Sequence, residues 1–269
     1  MHDRSDAPST FRLFLLVGGL AVALFAVRLL APSDLVDYGQ ELPIAYTLDA
    51  LQNGHWLVQW DTFGSIISKP PLFNWLAIAS AKIFGGVNRF SMTLPAGLAT
   101  LGAAWLVLGA GKKYFGWRAG LTGAVAYLVS AMVLKQIALV RVDGLFAFTV
   151  TATALLAFRS WNLGGGWTWF WFAAALATLT KGPLGVLLAG FGLLAAVWEW
   201  RTKQPAAIRG SHWIGLGVFL LLAGGWFFLA WREAGPQLID KMFRQELIQH
   251  AVAGGRRGIS KTHFYEPVL

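Results

Sequence analysis

A five-residue segment near the start of the chain holds two carboxylates spaced by one helical turn. It reads Asp37-Tyr38-Gly39-Gln40-Glu41, so the two acids would share a helix face. A carboxylate in partly buried surroundings has a raised pKa and can act as a general base on a hydroxyl group. Either Asp37 or Glu41 could be that base, with Tyr38 as a neighbouring binding residue. The alternative is that Asp37 is a solvated loop acid.

Two lysines interrupt apolar surroundings beside prolines. Lys69 precedes Pro70-Pro71, and proline fixes its own φ and restricts the residue before it, so this lysine lies in a rigid extended turn. A point charge held in this way suits a phosphate group. A lysine that snorkels to a membrane interface would show the same pattern. Lys181 is the stronger candidate for binding, since it breaks a long apolar stretch.

The segment Arg141-Val142-Asp143 lies between two hydrophobic stretches. A charge at the centre of a membrane helix costs about 2.5–3.5 kcal/mol on insertion scales, so such residues tend to be functional or paired. We interpret Asp143 as a second candidate catalytic acid and Arg141 as a binding residue. The alternative is a simple ion pair between them at the interface.

The elements that must position these residues are membrane helices. Hydrophobic residues make up 56% of the chain and charged residues only 13%, against about 25% in a soluble domain. The net charge of +9 is scattered through short loops, which argues against nucleic-acid binding. There is no cysteine, no phosphate-binding glycine motif and no paired histidine spacing. The sequence therefore predicts no metal site and no cofactor, and the residues give no support for a divalent metal.

The hydropathy pattern predicts about seven spans. The apolar stretch from Trp167 to Trp200 would measure about 51 Å as one helix, too long for one crossing, so we divide it at Lys181. The segment 32–89 is a long loop bearing five acids, and its amphipathic pieces Pro43–Leu51 and Pro71–Phe84 are typical of interfacial helices. The spans are 11–31, 90–110, 119–140, 144–160, 167–179, 183–200 and 213–231.

The charges of the short loops give an orientation. Lysines and arginines cluster in 111–118 and 201–212, which the positive-inside rule places in the cytoplasm. The loop 32–89, Arg141, Asp143 and Lys181 then fall together on the opposite face, with the segment 232–269. The fold class is therefore an all-α transmembrane bundle of one domain, 1–269, with one polar site on its outer face.

Six segments in order resemble a known family. They are "DYGQELPIAYTLDALQNGHWLV", "SKPPLFNWLAIASAKIFG", "NRFSMTLPAGLATL", "RVDGLFAF", "LTKGPLGVLLAG" and "HFYEPVL". The chain resembles the GT-C glycosyltransferases that use polyprenyl-phosphate sugars, a group that includes protein O-mannosyltransferases and the aminoarabinose transferases that modify lipid A. The resemblance covers nearly the whole chain.

The resemblance implies an inverting transfer of a sugar from a polyprenyl-phosphate donor to a protein, lipid A or glycan acceptor. The site would face the periplasm, on the bacterial inner membrane. Asp37 would be the general base, with Glu41 as the rival, and Lys69 would contact the donor phosphate. Asp143 matches the family's second acid, with Arg141 beside it. Ser68 stands where some relatives have an acid, which weakens any inference of a metal.

Two other hypotheses are compatible with the sequence. In the family, the segment that resembles "HFYEPVL" leads into further spans, so we expect this chain to be an N-terminal part, and it could be an inactive fragment. The other alternative is a transporter or lipid flippase, since broken helices and intramembrane charges fit that class. A polar cluster at one outward cavity would favour the transferase, whereas charges that line a passage at mid-membrane would favour the transporter.

Overall fold

A computed structural model describes residues 8–32, 39–163, 165–200 and 212–242. In these ranges the chain is all-α, and its extended structure is limited to a single bridge between Trp60 and Ile66. In the described residues, four helices are long and apolar enough to cross a membrane. They are Thr10–Leu30, Arg89–Phe115, Val142–Leu163 and His212–Ala234. The predicted all-α membrane fold is confirmed by these helices.

The first half of the bundle packs around one long helix. Helix α1, Thr10–Leu30, lies against α4, Arg89–Phe115. Arg89, the first residue of α4, donates from its guanidinium to the carbonyl oxygens of Arg28 and Ala31 at the end of α1. The start of α4 therefore lies beside the end of α1, and the two helices run antiparallel. Helix α4 begins with a capping box in which Asn88 and Ser91 exchange hydrogen bonds. These contacts bring the end of α1 to the start of α4, where the long loop between them begins and ends.

That loop contains two helices, α2 (Glu41–Asn53) and α3 (Leu72–Ile83). Helix α2 includes the predicted piece Pro43–Leu51, and α3 lies within the predicted piece Pro71–Phe84. Helix α3 is anchored on α4, since Phe73 and Ala77 are fully buried against Met92 and Ala96. Helices α2 and α3 cover one end of the bundle, which we call the loop end.

Asp49 organises the turn that joins α2 to α3. It accepts hydrogen bonds from Asn53 and from the backbone N–H of Trp60, and His55 Nδ1 lies 3.0 Å from its carboxylate. Burial alone would raise the pKa of Asp49, but the contacts with Asn53, Trp60 and His55 outweigh it and hold that pKa below its ordinary value. Asp49 therefore stabilises the loop as a carboxylate.

The segment predicted as one span at 119–140 is not one continuous helix. It forms α5 (Trp117–Val129) and the short α6 (Ala131–Gln136), with an extended residue, Ser130, between them. Ser130 caps the end of α5 by bonding to the carbonyl oxygen of Tyr127 through both its N–H and its hydroxyl. Helix α7, Val142–Leu163, then begins one residue after Arg141.

A tight helical hairpin follows α7. Helix α8 runs from Trp167 to Lys181 and α9 from Pro183 to Trp200, so the helix break lies at Gly182, as the Lys-Gly-Pro sequence predicts. Gly182 adopts φ +63°, a conformation that favours glycine at the end of a helix. A Cβ added to Gly185 would lie 2.5 Å from the backbone of Ala177, so only glycine permits this approach of α9 to α8.

The last described elements close the bundle against α8. Helix α10, His212–Phe219, continues through a π-helical turn at Leu220–Gly224 into α11, Gly225–Ala234, and a short α12 follows at Pro236–Ile239. Trp226 of α11 donates to the carbonyl oxygen of Leu57, which ties this part of the chain to the loop end. The number of membrane crossings, predicted as seven, stays a prediction.

Candidate active site

One carboxylate at the loop end holds two cations from different parts of the chain. Asp143 lies in the first turn of α7, and its Oδ1 is 2.7 Å from Nζ of Lys181, at the end of α8. Its Oδ2 is 3.1 Å from Nε of Arg141. The side chains are 25% to 34% exposed, so the cluster is partly buried and still open to a ligand.

A third cation joins this cluster. Lys69 lies near enough to Asp143 for a direct electrostatic interaction. The two lysine segments are also adjacent, because Pro70 lies within 3.6 Å of the position that a Cβ would take on Gly182. Three cations therefore surround one carboxylate, which leaves an excess of positive charge suited to an anionic group such as a phosphate.

Gln40 connects the start of α2 to this cluster. Its Oε1 accepts a hydrogen bond of 3.0 Å from the backbone N–H of Val140, and the residue is almost fully buried. The bond joins residues one hundred positions apart and brings Gly39 and Glu41 to the segment that bears Arg141. The sequence predicts no role for Gln40, because a single glutamine among acidic residues has no pattern that indicates a contact with Val140.

A cavity of about 160 Å³ opens beside the cations. Its wall combines residues of the loop with Arg141. The polar groups of the lining are supplied by Tyr46, Ser68, Lys69, Asn74 and Arg141, together with the backbone at Gly39. The carboxamide of Asn74 is held by the buried Gln59, at 3.3 Å. The cavity thus offers two cations and several hydrogen-bonding groups to one small ligand.

Comparison with known proteins identifies the family of this chain. Residues 68–229 match the profile of the dolichyl-phosphate-mannose-protein mannosyltransferase family, over more than half of the chain. The chain belongs to this family. The resemblance inferred from the sequence is confirmed, and the chain is a member of a glycosyltransferase family with a GT-C membrane fold.

One further protein and two crystal structures are similar to this chain. An uncharacterized protein from Aquifex aeolicus is 30% identical over 199 residues, which are 73% of this chain and 44% of that protein. The crystal structure of ArnT from Cupriavidus metallidurans bound to undecaprenyl phosphate has the same fold, with a TM-score of 0.67 at 20% identity over 90% of this chain and 45% of that one. The apo structure of that ArnT gives a TM-score of 0.64 at 19% identity, over 88% and 44% of the respective chains.

The chain spans less than half the length of these relatives. Within the family match lie Lys69, Arg141, Asp143 and Lys181, which are all of the cluster described above. The candidate acids of the first loop lie before it.

Four of the seven predicted site residues lie together in the structure. It brings together Lys69, Arg141, Asp143 and Lys181, although the sequence separates them by up to about a hundred residues. Glu41 is the first residue of α2 and is exposed, next to the buried Gln40. Asp37 and Tyr38 lie outside the described residues, and Gly39, two positions after Asp37, lines the cavity.

The ion pair between Arg141 and Asp143, which the sequence left as the simpler alternative, exists. It is shared with Lys181, so it belongs to a larger charged cluster.

Proposed function

We propose that this chain carries the catalytic site of a membrane glycosyltransferase that moves a sugar from a polyprenyl-phosphate donor to a protein, lipid A or glycan acceptor. The reaction takes place at the outer face of the bacterial inner membrane. The observation that carries the proposal is the convergence of Lys69, Arg141 and Lys181 on Asp143 beside a cavity lined by the first loop. A cluster at one end of the bundle favours a transferase over a transporter, whose charges would line a passage at mid-membrane.

The reaction is a single displacement at the anomeric carbon of the sugar. The acceptor hydroxyl oxygen forms a bond to this carbon, on the face opposite the phosphate. The bond between the carbon and the phosphate oxygen breaks, and its electron pair stays on the departing polyprenyl phosphate. The acceptor proton passes to a carboxylate of the first loop, for which Asp37 and Glu41 are the candidates. The products are an inverted glycoside and a polyprenyl phosphate.

The cations act on the leaving group. Charge on the phosphate oxygen grows as the bond breaks, and Lys69 and Arg141 border the same cavity, so both can stabilise that charge without moving far. Both oxygens of Asp143 are engaged by Arg141 and Lys181, so we assign this carboxylate to fixing the cations rather than to taking the acceptor proton.

The test is transfer of labelled sugar from lipid-linked donors, with the full-length protein in membranes and candidate acceptors. Asp37→Asn or Glu41→Gln, whichever residue is the base, is expected to lower the rate by about 10²–10⁴-fold, since general-base catalysis contributes about that much. Lys69→Ala should slow transfer and weaken donor binding.

Lys82→Ala is the matched control. Lys82 is a lysine of the same loop that lies over the ring of Trp56, away from the cavity, and its variant should transfer sugar at the wild-type rate. Wild-type activity in both acid variants would show that neither carboxylate is the base. Absence of transfer and of donor binding by the wild-type protein would overturn the proposed function itself.

A further inference from the structure

A second cavity lies against Arg141 and Asp143. It has a volume of about 340 Å³, is open on one side, and is lined by residues of α4, α5, α6 and α7. Arg141 lines both this cavity and the smaller one beside Lys69, so the arginine forms part of a wall that the two share. Two groups that are bonded to each other in one ligand would need adjacent subsites of this kind.

The second cavity combines an apolar wall, which includes Met132 and Val133, with several polar side chains. It presents the side chains of Thr100, Tyr127, Gln136, Arg141 and Asp143. Together they supply hydroxyl, amide, guanidinium and carboxylate groups, hence both donors and acceptors. Thr100 already donates to the carbonyl oxygen of Ala96, and Arg141 pairs with Asp143, so an apolar ligand such as a prenyl chain would fail chiefly to satisfy the amide groups of Gln136. A group with several hydroxyls would meet them.

Gln136 is the polar residue of this cavity best placed to bind a ligand. It is the last residue of α6, and its Oε1 is buried without a hydrogen-bond partner among the described residues. In the described part of the chain, its Nε2 has the sulfur of Met132 as its partner, at 4.0 Å, and sulfur is a weak acceptor. Buried amide oxygens in proteins normally have partners, so this oxygen, on a residue that lines a cavity, is suited to a polar ligand.

We propose that this second cavity binds the sugar of the lipid-linked donor, while the smaller cavity binds its phosphate. The inference rests on the proposed function and deepens it. Arg141 then lies where the phosphate joins the sugar, which is where charge develops as the bond breaks. Gln136 and Tyr127 contact sugar hydroxyls and decide which sugar is accepted. The volume lies at the small end of the range for ligand sites, about 300–1,000 Å³, as a monosaccharide requires.

The experiment compares binding of two kinds of lipid to the purified full-length protein. The probes are undecaprenyl phosphate alone and the same lipid carrying mannose or 4-amino-4-deoxyarabinose. We expect the wild-type protein to bind one of the sugar-bearing lipids at least tenfold more tightly than the bare lipid phosphate. Gln136→Leu removes the amide, and should abolish this preference while binding of the bare lipid stays within twofold of wild type.

A second variant tests the cavity without changing a polar group. Ala147 lies on α7 one turn after Asp143 and lines the cavity, so Ala147→Leu fills it and should also abolish the preference. Ala154→Leu is its matched control, because Ala154 is an exposed alanine of the same helix that lines neither cavity. It should bind both lipids as the wild type does.

The outcomes separate the two proposals. If the wild-type protein binds neither kind of lipid, the proposed function fails. If it binds the lipids but shows no preference for a sugar-bearing one, or if both cavity variants keep the preference, the sugar subsite is wrong and the proposed function stands. An effect of the variants on the KM for the acceptor alone would also overturn the inference, since the cavity would then serve the acceptor.

Discussion

At the scale of single residues, the stability of the charged cluster depends on how Asp143 is shared between Arg141 and Lys181. Asp143 is the only acid among the four residues, and each of its oxygens faces a cation. Exposed ion pairs contribute about 0.2–1 kcal/mol, and breaking a buried pair costs about 3–5 kcal/mol. This cluster lies between those cases, because the side chains of Arg141, Asp143 and Lys181 are each about a quarter to a third exposed.

We therefore expect Asp143→Asn to lower the free energy of unfolding by about 1–2 kcal/mol, since Arg141 and Lys181 would then face each other without a carboxylate. Lys181→Met should cost a similar amount. Because the two side chains share one contact, the double variant should lose less than the sum of the single variants. Thermal unfolding in detergent measures all three proteins. Strictly additive losses would show that the 2.7 Å contact contributes nothing to stability.

Helical elements fix where these side chains can reach. Lys181 reaches Asp143 because α8 ends at the loop end and α9 turns back immediately. The turn is held by the close approach of Gly185 to Ala177. The position of the cation therefore depends on a glycine that has no chemical role.

Gly185→Ala tests this dependence. The added Cβ would lie 2.5 Å from the backbone of Ala177, so α8 and α9 must separate, at a cost of about 1–3 kcal/mol. Thermal unfolding should show this loss, and sugar transfer should fall because Lys181 moves. Gly190→Ala is the control in the same helix, as no atom lies within 4 Å of its added Cβ. It should leave stability unchanged or raise it by up to about 1 kcal/mol. Equal stability of the two variants would show that the close approach is unimportant.

For the whole molecule, the decisive property is the side of the membrane on which the loop end lies. Short basic loops predict that this end is outside and that the junction of α4 with α5 is inside. The chain contains no cysteine, so a single introduced cysteine reports its own position.

We expect Thr62→Cys, at the exposed tip of the first loop, to react with an impermeant maleimide in intact spheroplasts. Lys113→Cys, at the other end of α4, should react only after the membrane is permeabilised. Gel-shift labelling of the two variants gives the orientation directly. Labelling of Lys113→Cys in intact spheroplasts, with Thr62→Cys protected, would place the cation cluster in the cytoplasm and contradict the proposed reaction at the outer face.

The sequence by itself determined the membrane class, the family and the helix break at Lys181. These follow from local signals: long apolar stretches, ordered motifs, and a glycine and proline that end and start helices. Local signals do not show the interruption within 119–140, where hydropathy stays high although Ser130 ends one helix and begins another. Apolar composition measures burial in lipid, and it does not report where backbone hydrogen bonds are interrupted.

Only the tertiary structure decided which side chains meet. The contact of Asp143 with Lys181 joins residues 38 positions apart, and the bond from Val140 to Gln40 joins residues 100 positions apart. The predicted topology places these residues on one face of the membrane, but that face holds many side chains. Which of them meet is determined by the packing of α7 against α8 and of α3 against α4. Packing depends on the shapes of both surfaces at once, and no local pattern in one segment contains that information.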